Sequence, residues 1–229
     1  MENLPDEFDI LQEKVDLETQ KEYLEISHSF GTGDLSEEET RQLGEILFRP
    51  NIPVDGRKKA MSLLAHSGSV SAFRLLEKYY KDPDTNLDQW AALALQECKM
   101  FLESSLLNEP SGFIAGGLGG KGQSMRYYIL ILSDKNEAFT FTQKKIIKEE
   151  FLATAKKLNC VVELIECSKK YAGITALVPL DVAVGDLIEN GIDACNELGN
   201  FVFEHYYVTN QNIPDKQEIE EIIHIVRSG

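Results

Sequence analysis

The sequence is poor in residues that build metal centres and disulfide frameworks. It has four cysteines, four histidines and one tryptophan in 229 residues. The cysteines form no C-x-x-C pair and the histidines lack ligand-type spacing, so we expect neither a metal site nor a disulfide scaffold. Met1 is followed by acidic residues in place of a basic and then apolar segment, which predicts a cytoplasmic protein without a secretory signal.

Long apolar runs and basic stripes are missing as well. No run approaches the roughly 20 residues that cross a bilayer. Lys and Arg number 23 against 38 Asp and Glu, a net charge of −15, and the first 45 residues hold 14 acidic and 3 basic residues. Because this balance repels phosphate backbones and anionic lipids, we expect no nucleic-acid partner and no membrane partner.

Glycine is concentrated in one stretch, Pro110 to Met125. Apolar residues have helical spacing before this stretch and strand-like spacing after it, so it is interpreted as a joint. We predict a helical part at residues 1–109, the joint at 110–125, and a part with strands and helices at 126–229. The fold class is therefore α+β.

The joint is the one place where backbone amides are expected to bind an anion. Successive glycine amides can form a nest, and a lysine adds charge. The candidate residues are Gly116, Gly117, Gly119, Gly120, Lys121 and Gly122. A Walker motif is excluded because one residue is missing between Gly116 and Gly120 and because Gly122 replaces the Ser or Thr that holds magnesium. No cofactor is expected, and a turned or flexible linker is the competing interpretation.

Two segments of the helical half match each other at an offset of 31 residues, RKKAMSLL at 57–64 and DQWAALAL at 88–95. A turn at Gly68 and the Asp-Pro-Asp sequence at 82–84 lie within this period. Over Val54 to Leu95 the sequence resembles the short HEAT-like repeat family, although it departs at Asp88, where the family pattern favours arginine. The resemblance implies an all-α superhelix that binds proteins in a groove. The expected rim residues are Arg57, Lys58, Arg74 and Lys78.

The second half is predicted to alternate strands and helices. Residues 126–133 have the continuous apolar character of a central strand, and further strands are expected at 160–166, 173–178 and 201–208. The order β-α-β-β-α-β, with one extra helix at the C-terminus, resembles the ferredoxin-like arrangement. Two helices would cover one face of that sheet. The other face would be covered by the last helix, by the helical half or by a second copy in a homodimer.

No catalytic set is discernible from the spacing of polar residues. The leading hypothesis is therefore a protein-protein interaction or adaptor module that has a protein partner and no catalytic activity. The alternative is a sensor or enzyme that binds a small anion at the glycine-rich joint between the two halves. An RNA-recognition module is disfavoured because the third strand lacks the basic-glycine-aromatic signature and because the net charge is negative.

Overall fold

The computed structural model describes residues 8–30 and 35–228 and confirms the α+β class. The chain forms two compact units, Met1–Gly117 and Leu118–Gly229, which divide inside the glycine-rich segment. The elements of the N-terminal unit are β1 (Phe8–Ile10), α1 (Leu17–Ser27), α2 (Glu37–Phe48), α3 (Val54–Ser67), α4 (Val70–Tyr80), α5 (Asp88–Leu107) and β2 (Gly112–Ile114). Those of the C-terminal unit are β3 (Gly120–Lys121), β4 (Ser124–Ser133), α6 (Phe141–Lys157), β5 (Val161–Cys167), β6 (Tyr171–Pro179), α7 (Val184–Glu197), β7 (Val202–Thr209) and α8 (Lys216–Ser228).

The N-terminal unit is not entirely helical, which corrects the prediction. Strand β1 pairs in parallel with β2, more than 100 residues further along the chain. The predicted first helix from Pro5 to Ser29 is therefore a strand at Phe8–Ile10 and a helix only from Leu17; residues 5–7 lie outside the described ranges. Asp16 begins α1, because its carboxylate accepts a hydrogen bond from the Thr19 amide at 2.8 Å.

The core of the N-terminal unit is built around α3 and α5, the two segments that match in sequence. Met61 and Leu64 from α3 and Trp90 and Cys98 from α5 are fully buried in one cluster. Only α3 and α4 form the helix pair expected of a repeat, since α5 is followed by β2 and not by a second helix. A repeat array buries a continuous core by stacking at least about three such pairs. The core of this unit is therefore not formed by stacked repeats.

A buried carboxylate joins α1 to α5. Glu97 is only 7% exposed, and it accepts hydrogen bonds from Tyr23 Oη at 2.5 Å and from Ser27 Oγ at 2.9 Å. The Tyr23 ring also makes a T-shaped contact with Trp90, with centroids 5.0 Å apart. A charged group this deep in the core requires such partners, because an unpaired buried polar group is costly.

The C-terminal unit has the predicted order of strands and helices. Its strands lie side by side in the order β5, β6, β4, β7, every pair antiparallel, and β3 extends the sheet beside the first residues of β4. The predicted capping box at the start of α6 is confirmed: the Thr140 hydroxyl accepts from the Gln143 amide at 3.2 Å, and the Gln143 side chain accepts from the Thr140 amide at 2.8 Å. The resemblance to the ferredoxin-like family stays a prediction.

The two faces of this sheet are covered by different helices. Ile129 and Ile131 of β4 belong to the cluster formed with α6 and α7, whereas Leu130 and Leu132 belong to a cluster with Ile219 of α8. Because side chains alternate along a strand, α8 lies on the face opposite to α6 and α7. The final helix, α8, therefore covers at least part of this second face. The sequence had left three candidates for that role: the last helix, the helical half and a second copy of the chain.

Candidate functional site

The glycine-rich segment forms a hairpin beside β4. Gly120 and Lys121 pair with β4 in antiparallel register, and Gly122 in the turn takes a φ of 57°, which favours glycine. Gly119 also has a positive φ, at 68°, whereas Gly116 and Gly117 belong to the N-terminal unit. Anion binding at the six candidate residues stays a prediction.

An arginine holds this hairpin in place. Arg126 Nη1 donates to the Leu118 carbonyl at 2.8 Å, and its Nε and Nη2 donate to the two carboxylate oxygens of Glu163 at 2.5 and 3.0 Å. The Leu118 amide in turn donates to the Asn210 carbonyl at 2.8 Å. These hydrogen bonds account for the conformation of the glycine-rich hairpin. The Lys121 side chain is exposed on it.

Two of the four predicted rim residues are internal to the N-terminal unit. The Arg57 side chain is 12% exposed, with Nη1 3.2 Å from Asp84 Oδ2 and Nη2 donating to the Arg49 carbonyl at 2.7 Å. The Lys58 side chain is 15% exposed; its Nζ lies 4.5 Å from the centroid of the Trp90 ring and pairs with Glu22 at 2.6 Å. Neither cation is available to a partner. The other two, Arg74 and Lys78, line a groove between α2 and α4.

A group of lysines gathers at one end of the C-terminal sheet, where α6 begins and β5 turns into β6. The group has five lysines and one aromatic residue, and we call it the lysine face: Lys135, Lys144, Lys148, Lys169, Lys170 and Phe141. None of these five ammonium groups forms an ion pair with a carboxylate in the described ranges. By contrast, neighbouring Lys145 pairs with Glu149 at 3.6 Å.

Backbone hydrogen bonds bring the three segments of the lysine face together. The Phe139 amide donates to the Lys169 carbonyl at 2.6 Å, and the Ser133 amide donates to the Lys170 carbonyl at 2.9 Å. The β5–β6 turn is therefore fixed beside the turn that leads into α6. Lys144 and Lys148 are four residues apart and so lie on one side of the helix.

The electrostatics of Cys167 indicate that Lys144 and Lys148 lie near the end of β5. Burial raises the pKa of the Cys167 thiol, and the ammonium groups of Lys148 and Lys144 act in the opposite direction. Phe141, the first residue of α6, is 85% exposed and is the most exposed of the large apolar side chains in the described ranges. The acids Asp134 and Glu137 lie in the turn before α6 and reduce the local positive charge.

The described ranges hold neither a metal-ligand cluster nor a bilayer-crossing helix. No three His, Cys, Asp or Glu side chains come together as a metal-ligand set. None of the helices has the length and apolar character of a bilayer-crossing segment. The four cysteines, Cys98, Cys160, Cys167 and Cys195, are all free thiols.

Comparison with known proteins gives structural neighbours only. No family model and no curated protein matches the chain. A candidate transposase from Deinococcus radiodurans R1 is 9% identical with a TM-score of 0.38, over 46% of this chain and 90% of its own. A REP-associated tyrosine transposase bound to a REP hairpin is 6% identical with a TM-score of 0.35, over 45% of this chain and 65% of its own. Similarity at this level transfers no activity to this chain.

Three expectations from the sequence are corrected at this point: a non-catalytic adaptor, a HEAT-like protein-interaction repeat and the exclusion of nucleic acid. The structural neighbours found are transposases, one of them bound to a REP hairpin, and their similarity is too low to assign a function in place of those expectations. The structure supplies physical reasons for two of these corrections. The N-terminal unit has one repeat-like helix pair and a pair of strands, and Arg57 and Lys58 of the expected rim are used internally.

The lysine face was missed in the sequence because its members lie in three separate segments. Lys144 and Lys148 at helical spacing, the adjacent pair Lys169-Lys170, and an aromatic residue in the first turn of a helix were each visible. The net charge of −15 gave no indication of this group, because it sums the local excess of lysine with the acidic residues elsewhere in the chain.

Proposed function

We propose that this chain binds single-stranded nucleic acid on the lysine face. The observation that carries the proposal is the set of five unpaired lysines beside the exposed ring of Phe141. Lysine ammonium groups neutralise phosphates and release the counterions condensed on them. Exposed aromatic rings stack on unpaired bases, a contact that every base can make.

A single strand suits this surface better than a duplex. The bases of a duplex are already stacked, whereas an unpaired base can be placed against the Phe141 ring. The ring also stands at the N-terminus of α6, where the partial positive charge of the helix adds to that of Lys144 and Lys148. Direct contacts to phosphates and to one or two bases would then hold a strand of unspecific sequence.

The negative charge of the chain does not prevent such binding, because it lies mostly elsewhere. Residues 118–229 hold 12 basic and 16 acidic residues, and residues 134–170 hold eight lysines and six acidic residues. The stretch that contains the lysine face therefore has a small positive charge of its own, although the charge of the whole chain is negative.

We place this function in the cytoplasm, as the sequence predicts. Nucleic acid is accessible there, and cysteines such as the four free thiols of this chain stay reduced. This part of the proposal is checked by fractionating cells that express the tagged protein. Recovery only from an oxidising compartment would contradict it.

The proposal is tested by fluorescence anisotropy with labelled oligonucleotides of about 12 nucleotides, within the range that single-strand binding modules cover. The test variant carries Lys144→Ala, Lys148→Ala and Lys169→Ala. The matched control carries Lys156→Ala, Lys157→Ala and Lys216→Ala, which removes the same number of charges from the far end of α6 and from α8.

We expect the wild type and the control to bind a single strand, and the test variant to bind it at least tenfold more weakly. A duplex of the same sequence should compete poorly. Two results would overturn the proposal: no binding by the wild type at about 50 mM salt, or an equal loss of affinity in both variants, which would indicate an effect of net charge alone.

A further inference from the structure

A groove of about 880 Å³ runs between α2 and α4 in the N-terminal unit. It is separate from the lysine face, which belongs to the C-terminal unit. Its volume falls in the range of about 300–1,000 Å³ that is typical of small-molecule sites. The α2–α4 groove is therefore large enough for a metabolite-sized ligand.

The two helices contribute side chains at helical spacing to this groove. The lining residues of α4 are Ser71, Arg74, Leu75 and Lys78, and those of α2 are Glu37, Thr40, Arg41, Gly44, Glu45 and Phe48, with Arg49 just beyond its end. Steps of three and four residues place each set on one face of its helix. The groove is thus formed by regular secondary structure, which fixes its shape.

The floor of the groove is apolar. An added Cβ at Gly44 would lie 2.7 Å from Leu75 Cδ1, so the glycine lets the Leu75 side chain pack directly against α2. Phe48 lies further along and is 43% exposed, with its ring T-shaped against Tyr79 at 5.9 Å between centroids. A flat apolar group can rest on Leu75 and Phe48.

The four cations of the groove are not equivalent. Arg41 and Arg49 both form ion pairs with Glu45, and Arg41 also pairs with Glu38 at 2.6 Å. The Arg74 guanidinium, in contrast, has no hydrogen bond or ion pair with any described residue.

Lys78 also has no carboxylate partner in the described part of the chain, and its Nζ lies 4.8 Å from the centroid of the Phe48 ring. Arg74 and Lys78 are one helical turn apart, so their charged groups can reach the same anion. A planar guanidinium binds phosphate through two parallel hydrogen bonds, and an adjacent ammonium adds a point charge.

We infer that the α2–α4 groove binds a mononucleotide-sized organic phosphate, with the phosphate between Arg74 and Lys78 and a flat ring on Leu75 and Phe48. The Glu37 carboxylate on the α2 side, which has no ion-pair partner among the described residues, repels a second phosphate and so favours a monophosphate. This inference does not depend on the lysine face. It adds a small-molecule site to the N-terminal unit.

The test uses the thermal unfolding of the N-terminal unit, which the single tryptophan, Trp90, reports through its fluorescence. The wild-type protein is heated alone and with excess adenosine monophosphate, guanosine monophosphate, adenosine or inorganic phosphate. A ligand that binds only the folded state raises the Tm. We expect a rise with at least one monophosphate and a smaller rise or none with adenosine or phosphate alone.

Three variants locate the site. Arg74→Ala with Lys78→Ala removes the two cations that have no carboxylate partner, and Ser71→Tyr fills the groove while keeping every charge. Lys59→Ala, which removes one exposed lysine of α3 outside the groove, is the control for loss of surface charge. The first two variants should lose the shift, and the control should keep it.

Three outcomes would overturn the inference: no rise with either monophosphate, a rise of equal size with inorganic phosphate and with the nucleotide, or a rise that persists in both groove variants. The lysine-face variant Lys144→Ala, Lys148→Ala, Lys169→Ala should keep the nucleotide shift. A failure of the groove is thereby distinguished from a failure of oligonucleotide binding, because each experiment measures a different ligand on a different unit.

Discussion

Replacing Tyr23 by phenylalanine tests whether the buried carboxylate stabilises the N-terminal unit. The change keeps the ring that contacts Trp90 but removes the donor that Glu97 binds at 2.5 Å. Ser27 would remain as a side-chain donor to a carboxylate that is almost fully buried. Loss of a partner for a buried acceptor costs about 1–3 kcal/mol, and charged acceptors lie at the upper end. We expect the free energy of unfolding to fall by about 2 kcal/mol.

Urea denaturation at pH 7, followed by the fluorescence of Trp90, measures this loss in the N-terminal unit, because the chain has no other tryptophan. Glu25→Gln, an exposed change on the same helix, is the control and should stay within about 0.5 kcal/mol of the wild type. In a Glu97→Gln background the Tyr23 substitution should cost less, because the acceptor is then neutral. A loss below about 0.5 kcal/mol for Tyr23→Phe alone would refute the reasoning.

Three further predictions concern pH, packing and the exposed ring. Burial and Glu97 raise the pKa of Tyr23 well above 10, and burial raises the pKa of Tyr128 to about 12. As the pH rises, these two phenols therefore lose their protons in the unfolded chain before they do so in the folded protein, which favours unfolding. The urea concentration at the midpoint of unfolding should fall as the pH rises from about 10 towards 12. Gly173→Ala would place a Cβ 2.5 Å from Tyr128 Oη, so circular dichroism should show a loss of about 1–3 kcal/mol, partly restored by Tyr128→Phe. Phe141→Ala should weaken oligonucleotide binding by about 5- to 100-fold in an anisotropy titration, without changing its salt dependence or the Tm.

Local signals in the sequence were reliable wherever neighbouring residues decide the structure. The capping boxes at Ser36 and Thr140 form as predicted, because each depends on residues only three positions apart. The apolar run at 129–132 is fully buried in the middle of the sheet. The order of elements after Met125 followed from such signals.

The errors concern contacts between distant residues. Strand β1 has three residues and pairs with another short strand over 100 positions away, so no local pattern indicates it. The internal ion pairs of Arg57 and Lys58 were missed for the same reason, because their partners, Asp84 and Glu22, cannot be identified from spacing. The lysine face depends on the hydrogen bonds from Ser133 and Phe139 to the β5–β6 turn, which are known only from the fold.

The salt dependence of oligonucleotide affinity tests nucleic-acid binding at the lysine face most directly. If each of the five lysines neutralises one phosphate, the log–log slope for a single strand is about −3.5, since each contact contributes about −0.7. The wild type should then lose about 100-fold in affinity between about 50 and 200 mM salt. The variant without Lys144, Lys148 and Lys169 should show a slope of about −1.4, and the control without Lys156, Lys157 and Lys216 should keep the wild-type slope. A wild-type slope near zero, or the same change in slope in both variants, would contradict the proposed site.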